Sequence, residues 1–330
     1  NTDERSTDIV TRIVLGFFLG LLTFVFIAWL WLGLLSHRHR EKISIYTKLI
    51  IKGKTIVAWR EAMLMFGIVW LSLWIILFLV GNYHILGTDK VGRDVFYEAI
   101  KSIRTGLLIG TLTTLFMLPF ALLLGMLAGY FRGWIDDIIQ YLYTTLSSIP
   151  GVLLISATIL VLQVYIANHP QLFPTIIQRA DARLLALCII LGITSWASLC
   201  RLLRGETLKI RAQEYVQASR ALGANRLRII LRHVMPNVMH IVLITLVLDF
   251  SGLVLAEAVL SYIGVGVDPT MMSWGNMINS SRLQLAREPI VWWPLLAAFI
   301  FMFILVLAAN LFADALRDSL DPRLRKNTQP

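Results

Sequence analysis

Charged side chains are scarce in this 330-residue chain: Asp, Glu, Lys and Arg make up 15% of it, whereas 57% of its residues are hydrophobic. A soluble α/β enzyme needs more polar surface than this composition supplies, so the chain is expected to be an integral membrane protein. The net charge of +10 would suggest a nucleic-acid partner in a soluble domain. In a membrane protein it more often reflects Lys and Arg kept on cytoplasmic loops.

Residues for covalent or metal chemistry are also few. The two cysteines, Cys188 and Cys200, lie within or at the end of an apolar segment, which is typical of packing residues and not of a disulfide framework or metal site. The six histidines are scattered, without an HExxH pair. The nucleotide-binding pattern GxxxxGK(S/T) and the esterase pattern GxSxG are both missing. We therefore expect no catalytic residue, no metal and no cofactor on this chain.

Long apolar segments are abundant instead. A helix needs about 20 apolar residues to cross the hydrocarbon core of a bilayer. Seven segments qualify, at roughly 9–35, 62–82, 102–130, 136–166, 183–203, 237–263 and 290–314. The first is longer than the apolar core of a signal peptide, and no small-residue cleavage site follows it, so we interpret it as a retained span. The prediction is an all-α membrane protein with about seven transmembrane helices.

The charges between the spans predict their orientation, because Lys and Arg are retained in the cytoplasm. One alternating set of segments carries 20 of these residues and the other carries nine. The richer set is 36–61, 131–136, 201–236 and 315–330, and the poorer set is 1–12, 83–101, 167–183 and 264–289. This places the N-terminus outside and the C-terminus in the cytoplasm.

One cytoplasmic loop, at 204–236, is polar and basic without looking disordered. Between Arg204 and Leu222 there is no proline and one glycine, which favours a helix, and Gly223 suits its C-terminus. The loop then continues with a cap, a second short helix and the entry into the next span, at Asn225, 226–233 and Pro236. The pattern predicts a helix, a glycine turn and a helix.

Nucleic acid, lipid and protein are the candidate partners of this loop. A DNA reader tethered at both ends to the bilayer does not reach a major groove. Arginines attract anionic headgroups, but an interfacial helix wants bulky apolar residues opposite its charges. The corner of the loop instead carries the small residues Ala218, Ser219, Ala221 and Ala224. Small side chains allow close approach of another folded surface, which favours a protein partner.

The loop resembles the EAA loop of the membrane subunits of ABC importers. In that pattern EAA, three residues, a glycine and nine residues precede I-x-L-P. Here QAS lies at 217–219, Gly223 follows after three residues, and HVMP lies at 233–236 after nine more. The spacing fits throughout, while Gln217, Ser219, His233 and Met235 depart from the usual letters.

Other blocks are similar to the C-type permease subunit of the dipeptide/oligopeptide/nickel ABC importer family. They are LGTDKVGRDVFYEAIKSIRTGLLIG at 86–110, EAVLSYIGVGVDPTMMSWGNMI at 257–278 and NLFADALRDSLDPR at 310–323, in family order. The resemblance implies a type I ABC importer permease fold in the bacterial inner membrane. It also implies a homologous second permease, two cytoplasmic ATPases that carry the ATP and Mg, and an extracytoplasmic solute-binding protein. Peptides are the default substrate, with oligosaccharides or nickel complexes as alternatives.

A secondary transporter that works without an ATPase is the rival from another class. It predicts acidic or histidine relays in several spans and inverted repeats, and neither is seen in the sequence. The resemblance instead makes the loop a coupling helix that seats in a groove of an ATPase. The implied residues are Glu214, Gln217, Ala218, Ser219, Arg220, Gly223, Asn225, Arg226, Arg228 and Pro236. The arginines either pair with acidic residues of the ATPase or face solvent.

Charges inside spans are functional candidates because they are expensive there. Asp249 and Glu257 lie eight residues apart in the sixth span, about 12 Å along the axis. Glu257 matches a family position for which we expect a hydrogen-bonded structural or gate role. Asp249 has no family counterpart. It lines the path and attracts a cationic group, pairs with the companion permease, or makes an interhelical hydrogen bond, and we favour the bond. Pro150, taken as a kink, completes the candidate path or gate.

The segment RGWIDDIIQYLYTTLSSIP, at 132–150, resembles a family block and shares Trp134, Asp136 and Pro150 with it. Tyr141 and Thr144 replace a charged pair of the family, which suggests a less charged cavity. A predicted extracytoplasmic motif consists of Gly87, Asp89, Gly92, Arg93, Asp94 and Trp274. Its role as a turn stabiliser and its role as a contact for a partner are both open, and Trp274 is expected at the membrane interface.

These features divide the chain into four segments. They are an extra helix with a basic cytoplasmic loop at 1–61, a helix with the extracytoplasmic motif at 62–101, the transporter domain at 102–318, and a cytoplasmic tail at 319–330. The family ordinarily has one span before its LGTD block, whereas this chain has two.

Overall fold

A computed structural model describes residues 2–39, 43–53, 55, 58–286 and 288–320. The elements in these residues are helical: α1 Thr2–His39, α2 Ile43–Ile51, α3 Trp59–Val80, α4 Val95–Phe131, α5 Trp134–Ser148, α6 Gly151–Asn168, α7 Ile176–Arg211, α8 Glu214–Ala221, α9 Arg226–Ile229, a π-helical turn Ile230–Val234, α10 Met235–Tyr262, α11 Trp274–Leu285 and α12 Trp293–Leu320. Most of the predicted tail, 321–330, lies outside the described residues, as do 40–42, 54, 56 and 57 of the basic loop.

Seven of the described helices are long and apolar enough to cross a membrane, which confirms the predicted number. They are Glu4–His37, Trp59–Val80, Val95–Phe131, Gly151–Asn168, Ile176–Arg211, Arg226–Tyr262 and Trp293–Ser319. The prediction of one continuous segment at 136–166 is wrong in detail. The helix stops at Ser148 and restarts at Gly151 because Ile149, which precedes Pro150, is held extended at φ −89° and ψ 130°.

The chain divides into two compact units, Asn1–Thr88 and Asp89–Pro330. In the first unit α1 packs closely on α3. A Cβ atom at Gly16 would lie 3.1 Å from the Cα of Ile75, so the two backbones approach nearly as closely as a glycine permits. The indole Nε1 of Trp70 donates a hydrogen bond of 2.9 Å to the hydroxyl of Thr23. The first span is therefore held to the second by both close packing and a polar contact.

The second unit is built around α4 and α7, which pack along each other. Their contact also depends on glycine: a Cβ at Gly129 would lie 2.7 Å from the carbonyl oxygen of Arg204, and one at Gly192 would lie 3.0 Å from that of Thr113. The two cysteines are free and fully buried on α7, as expected of packing residues. α10, α11 and α12 pack beside α4.

Candidate functional site

The loop that we predict to couple to an ATPase, called the coupling loop below, is shorter than the sequence suggested, because α7 continues as a helix to Arg211. The helix at the corner, α8, has eight residues. It is anchored by Val216, which is 2% exposed and belongs to the apolar core shared by α4 and α7. Ile229 of the return helix is buried in the same core. The loop is therefore fastened at two points to the helices that carry it.

The predicted turn and cap are both present. Gly223 has φ +81°, a conformation that L residues with a side chain rarely adopt. The side-chain oxygen of Asn225 accepts a hydrogen bond of 3.4 Å from the backbone N–H of Leu227 and so caps α9. The sequence-based prediction of a helix, a glycine turn and a capped helix is thus confirmed.

The return helix does not end at His233, contrary to the sequence-based expectation. α9 passes through the π-helical turn Ile230–Val234 directly into α10. Pro236 lies in the first turn of α10. Its missing N–H and its ring disturb the regular ladder of helical hydrogen bonds, and the wider turn before it accommodates that disturbance. The loop and the sixth span therefore share one continuous helical backbone, which can transmit a displacement.

Two departures from the EAA pattern contact each other. The hydroxyl of Ser219 lies 3.4 Å from Nε2 of His233, across the loop from α8 to the π-helical turn. The ring of Tyr215 packs against the same imidazole at 6.0 Å between ring centroids. A third departure has a local reason, because Nε2 of Gln217 donates a hydrogen bond of 3.0 Å to the carbonyl of Ala212. A glutamate in that position could not donate this bond.

The tip of the loop presents an apolar side chain that the sequence reasoning missed. Leu222, next to the turn glycine, is 88% exposed, and Leu227 is 63% exposed. Ala218 and Ala221, on α8, are exposed as well, and so are Arg220 and the two arginines of α9, Arg226 and Arg228. A leucine just before a turn glycine was a signal available from the sequence. Exposed leucines among small residues and arginines suit a protein contact.

Asp136, which matches the family block, pairs with α7. Nε and Nη2 of Arg204 donate hydrogen bonds of 2.6 and 2.8 Å to its two carboxylate oxygens. These bonds hold the pKa of Asp136 below its ordinary value. Tyr141 and Thr144, by contrast, are exposed on α5. The pair ties α5 to α7 close to the coupling loop.

The two acidic residues of α10 have different surroundings. Glu257 is 2% exposed, and its carboxylate accepts a hydrogen bond of 2.6 Å from the hydroxyl of Ser261. Asp249 is half-buried, and in the described part of the chain it has no hydrogen bond or ion pair. The interhelical bond that we favoured for Asp249 from the sequence is therefore not found among these residues.

The predicted extracytoplasmic motif forms a local turn at residues 89–94 of the second unit, whereas Gly87 belongs to the first unit. Oδ1 of Asp89 accepts hydrogen bonds of 2.9 and 2.8 Å from the backbone N–H groups of Val91 and Arg93. Asp94 caps α4 by accepting a bond of 2.9 Å from the N–H of Tyr97. Gly87 and Gly92 both have positive φ, at +72° and +83°. These contacts agree with the interpretation of the motif as a turn stabiliser.

Trp274 is buried inside the second unit and does not have the exposed ring of a tryptophan that faces lipid. It is 1% exposed, and its indole Nε1 donates a hydrogen bond of 3.0 Å to the carbonyl of Ala99. Its ring lies against Gly106, where a Cβ would be 3.2 Å away. The missing side chain of this glycine makes room for the indole, so Trp274 joins α11 to α4 as a packing residue.

Comparison with known proteins decides the family. A family described as "Binding-protein-dependent transport system inner membrane component" matches residues 121–326, which is more than half of the chain. The chain belongs to this family. As one of its permeases, it is a transmembrane subunit of an ABC importer and not an enzyme, and the family implies no cofactor on it.

Individual relatives agree with this assignment over most of the permease. It is 33% identical over 243 residues to the oligopeptide transport system permease protein OppC of Bacillus subtilis, covering 74% of this chain and 73% of that one. It is 32% identical to the glutathione transport system permease protein GsiD of Pectobacterium atrosepticum, covering 73% of both chains. The dipeptide transport system permease protein DppC of Bacillus subtilis is 31% identical, with 74% of this chain and 70% of that one covered.

Proposed function

We propose that this permease forms half of a translocation path for peptides or similar small solutes that an extracytoplasmic binding protein delivers. A homologous second permease supplies the other half, and two cytoplasmic ATPases bind the ATP and Mg. The substrate class rests on the three relatives above, which are named for oligopeptide, dipeptide and glutathione transport. Loading the cognate binding protein with di- and tripeptides tests it, since peptides should raise its melting temperature and sugars should not.

Two features of residues 214–237 support the coupling role: the exposed side chains around the turn, and the helical backbone that continues from the turn into α10. The loop offers Leu222 and small side chains to a partner, while Val216 and Ile229 fasten it to the core of the permease. From Arg226 to Tyr262 the backbone is helical without interruption. When the ATPases approach each other, a displacement of the corner is passed to α10, which carries Asp249 and Glu257. This is a two-state gate biased by nucleotide.

Asp249 is the best candidate for a side chain in the path or at the second permease. It lies in a span, half-buried, without a polar partner in the described residues. Such a position is expensive unless the carboxylate meets water, a substrate amine or a partner chain. Asp249→Asn should lower transport while leaving the binding of the ATPases intact. Transport of peptides with a blocked N-terminal amine should be affected less if the carboxylate contacts that amine.

Two substitutions test the coupling role. Gly223→Trp is incompatible with the positive φ of the turn, and Leu222→Asp removes the exposed apolar contact. We expect the assembled complex to lose ATPase on purification, or ATP-driven uptake to fall about tenfold or more, as for loss of an interface hot spot. Leu172→Asp is a control, because Leu172 is also an exposed leucine and lies between α6 and α7, away from the loop.

Unchanged uptake by both loop variants would contradict the coupling role. Uptake that continues in proteoliposomes without ATPase subunits would instead support the secondary transporter. Neither outcome depends on knowing which peptide is carried, provided that one transported substrate is available.

A further inference from the structure

Four arginines meet at the root of the coupling loop, beside the turn that joins α4 to α5. A cavity of about 550 Å³ is lined by Arg132, Arg211 and Arg220, together with Ala212, Gln217 and Ala221. A smaller adjoining cavity of about 90 Å³ shares Arg211 and Arg220 and adds Arg226. We call the two cavities the arginine pocket. Arg132 and Arg211 lie outside the corner at 214–237, so the pocket is a feature of the fold and not of the coupling motif alone.

Within the described part of the chain, these four arginines make no ion pair. The charged side chains that act on Arg211 are the other three arginines, and no carboxylate is among them. Nη1 of Arg211 is buried and has no hydrogen-bond acceptor among the described residues. Leaving a buried guanidinium nitrogen without an acceptor is unfavourable, so the pocket is arranged for an anion.

Aromatic rings hold two of the guanidinium groups in place. Arg211 lies over the ring of Tyr130 at 5.8 Å, and Arg226 lies over the ring of Phe131 at 5.8 Å. Stacked guanidinium groups keep their N–H edges free for a ligand. The described residues that line the pocket include arginine and no lysine. The arginine fork fits the paired oxygens of a phosphate group. A phosphate group also carries more negative charge than a single carboxylate, which suits several unpaired cations.

The position of the arginine pocket along α4 and α7 corresponds to the depth at which the phosphates of a lipid leaflet lie. Arg132 follows the end of the apolar segment of α4 by two residues. Arg211 lies eight residues beyond Leu203, where the apolar segment of α7 ends, or about 12 Å along the helix. Headgroups occupy this zone next to the hydrocarbon core. Trp134, two residues from Arg132, is 72% exposed, and exposed tryptophans are enriched at this depth.

We propose that the arginine pocket is a phosphate-binding site, occupied by the headgroup of an anionic phospholipid. This mode of lipid binding differs from the one that the sequence argued against. There a helix of the loop would lie flat on the bilayer, whereas here a lipid headgroup enters a cavity. Basic pockets between membrane helices on the cytoplasmic side bind such headgroups in this way. The site does not depend on which protein docks on Leu222.

The test has two arms, both on the assembled transport complex. In the first, the complex is placed in nanodiscs of phosphatidylcholine with or without phosphatidylglycerol. In the second, the complex is kept in detergent with inorganic phosphate or with chloride at equal ionic strength. The variant is Arg132→Gln, which lies outside the coupling loop. The matched control is Lys209→Gln, because Lys209 is an exposed cation near the same end of α7 that is already paired with Glu206. The readouts are the melting temperature and the amount of phosphatidylglycerol retained through purification.

We expect phosphatidylglycerol to be retained and to raise the melting temperature, with binding weakened about tenfold or more in Arg132→Gln, since charge-assisted hydrogen bonds are lost. Lys209→Gln should behave like the unmodified chain. A response to inorganic phosphate but not to phosphatidylglycerol, lost in the same variant, supports the phosphate site with a soluble ligand as its source.

If Arg132→Gln and Lys209→Gln weaken the binding of phosphatidylglycerol equally, the effect comes from the overall positive charge and the proposal is overturned. No response to either phosphate source would overturn it as well. If Arg132→Gln merely releases ATPase subunits, the pocket is a contact for acidic residues of the ATPase. That result is separable from a failure of the coupling role, which Gly223→Trp and Leu222→Asp test without touching Arg132.

Discussion

At the scale of single residues, Ser219 and His233 are two departures from the family motif whose side chains contact each other. Each replaces an apolar residue of the family pattern, and their side chains contact each other across the loop. A hydrogen bond of 3.4 Å is long and therefore weak, so its contribution to the stability of the fold is small. The imidazole also has a second neighbour, the ring of Tyr215.

We predict that Ser219 and His233 are energetically coupled. Ser219→Ala should cost about 0.5–1 kcal/mol in the presence of His233 and almost nothing in His233→Ile, because the hydrogen bond is then already lost. A double-mutant cycle on the melting of the detergent-purified permease measures this. Strictly additive effects of the two substitutions would show that the contact is not formed in solution.

The pair of Asp136 and Arg204 carries a larger expected effect. Asp136→Asn leaves the partly buried guanidinium of Arg204 without its carboxylate, and we expect a loss of about 2–4 kcal/mol. Asp137→Asn is the matched control, because its exposed carboxylate adjoins the pair in sequence. Equal melting temperatures for the two variants would contradict a stabilising pair.

The same pair predicts a pH dependence. Because Arg204 lowers the pKa of Asp136 in the folded state below the ordinary value of 3.8, the pair stabilises the fold fully above that pH and progressively less below it. Comparing melting curves of the unmodified chain and Asp136→Asn should show a difference that is constant from neutral pH to about pH 5 and shrinks in stronger acid. A difference that already shrinks between pH 7 and 6 would contradict the lowered pKa.

At the scale of helices, the contact of α4 with α7 depends on missing side chains. A Cβ at Gly129 would come within 2.7 Å of a backbone oxygen, which cannot yield without moving the helix, whereas one at Gly252 in α10 would meet nothing within 4 Å. We predict that Gly129→Ala costs about 1–3 kcal/mol through overpacking and that Gly252→Ala has little effect. Fluorescence-detected melting compares them, and equal melting temperatures would argue against the close approach of α4 and α7.

At the scale of the whole molecule, the proposed orientation places Leu172 outside and Leu222 in the cytoplasm. One candidate span, α7, lies between them in the chain. Cys188 and Cys200 are fully buried, so the native background is low. We predict that a membrane-impermeant maleimide labels Leu172→Cys on intact cells and Leu222→Cys in inverted vesicles. Labelling of both from one side would contradict the proposed orientation.

Composition and apolar length were sufficient to predict the helical class and the seven spans, because any segment that crosses hydrocarbon must satisfy its backbone internally and be apolar for about 20 residues. The turn at Gly223 and the cap at Asn225 were also predictable, since both follow from local backbone chemistry. These features depend on residues that are neighbours in the sequence.

Tertiary structure decided what depends on distant neighbours. It buried Trp274 between α11 and α4 and left Asp249 without the expected hydrogen bond among the described residues. It continued the return helix through Pro236 into α10. It also brought Arg132, which follows α4, to Arg211 of α7 and Arg220 of α8. Burial, partners and cavities are set by the packing of whole helices, and the spacing of residues along one helix does not contain that information.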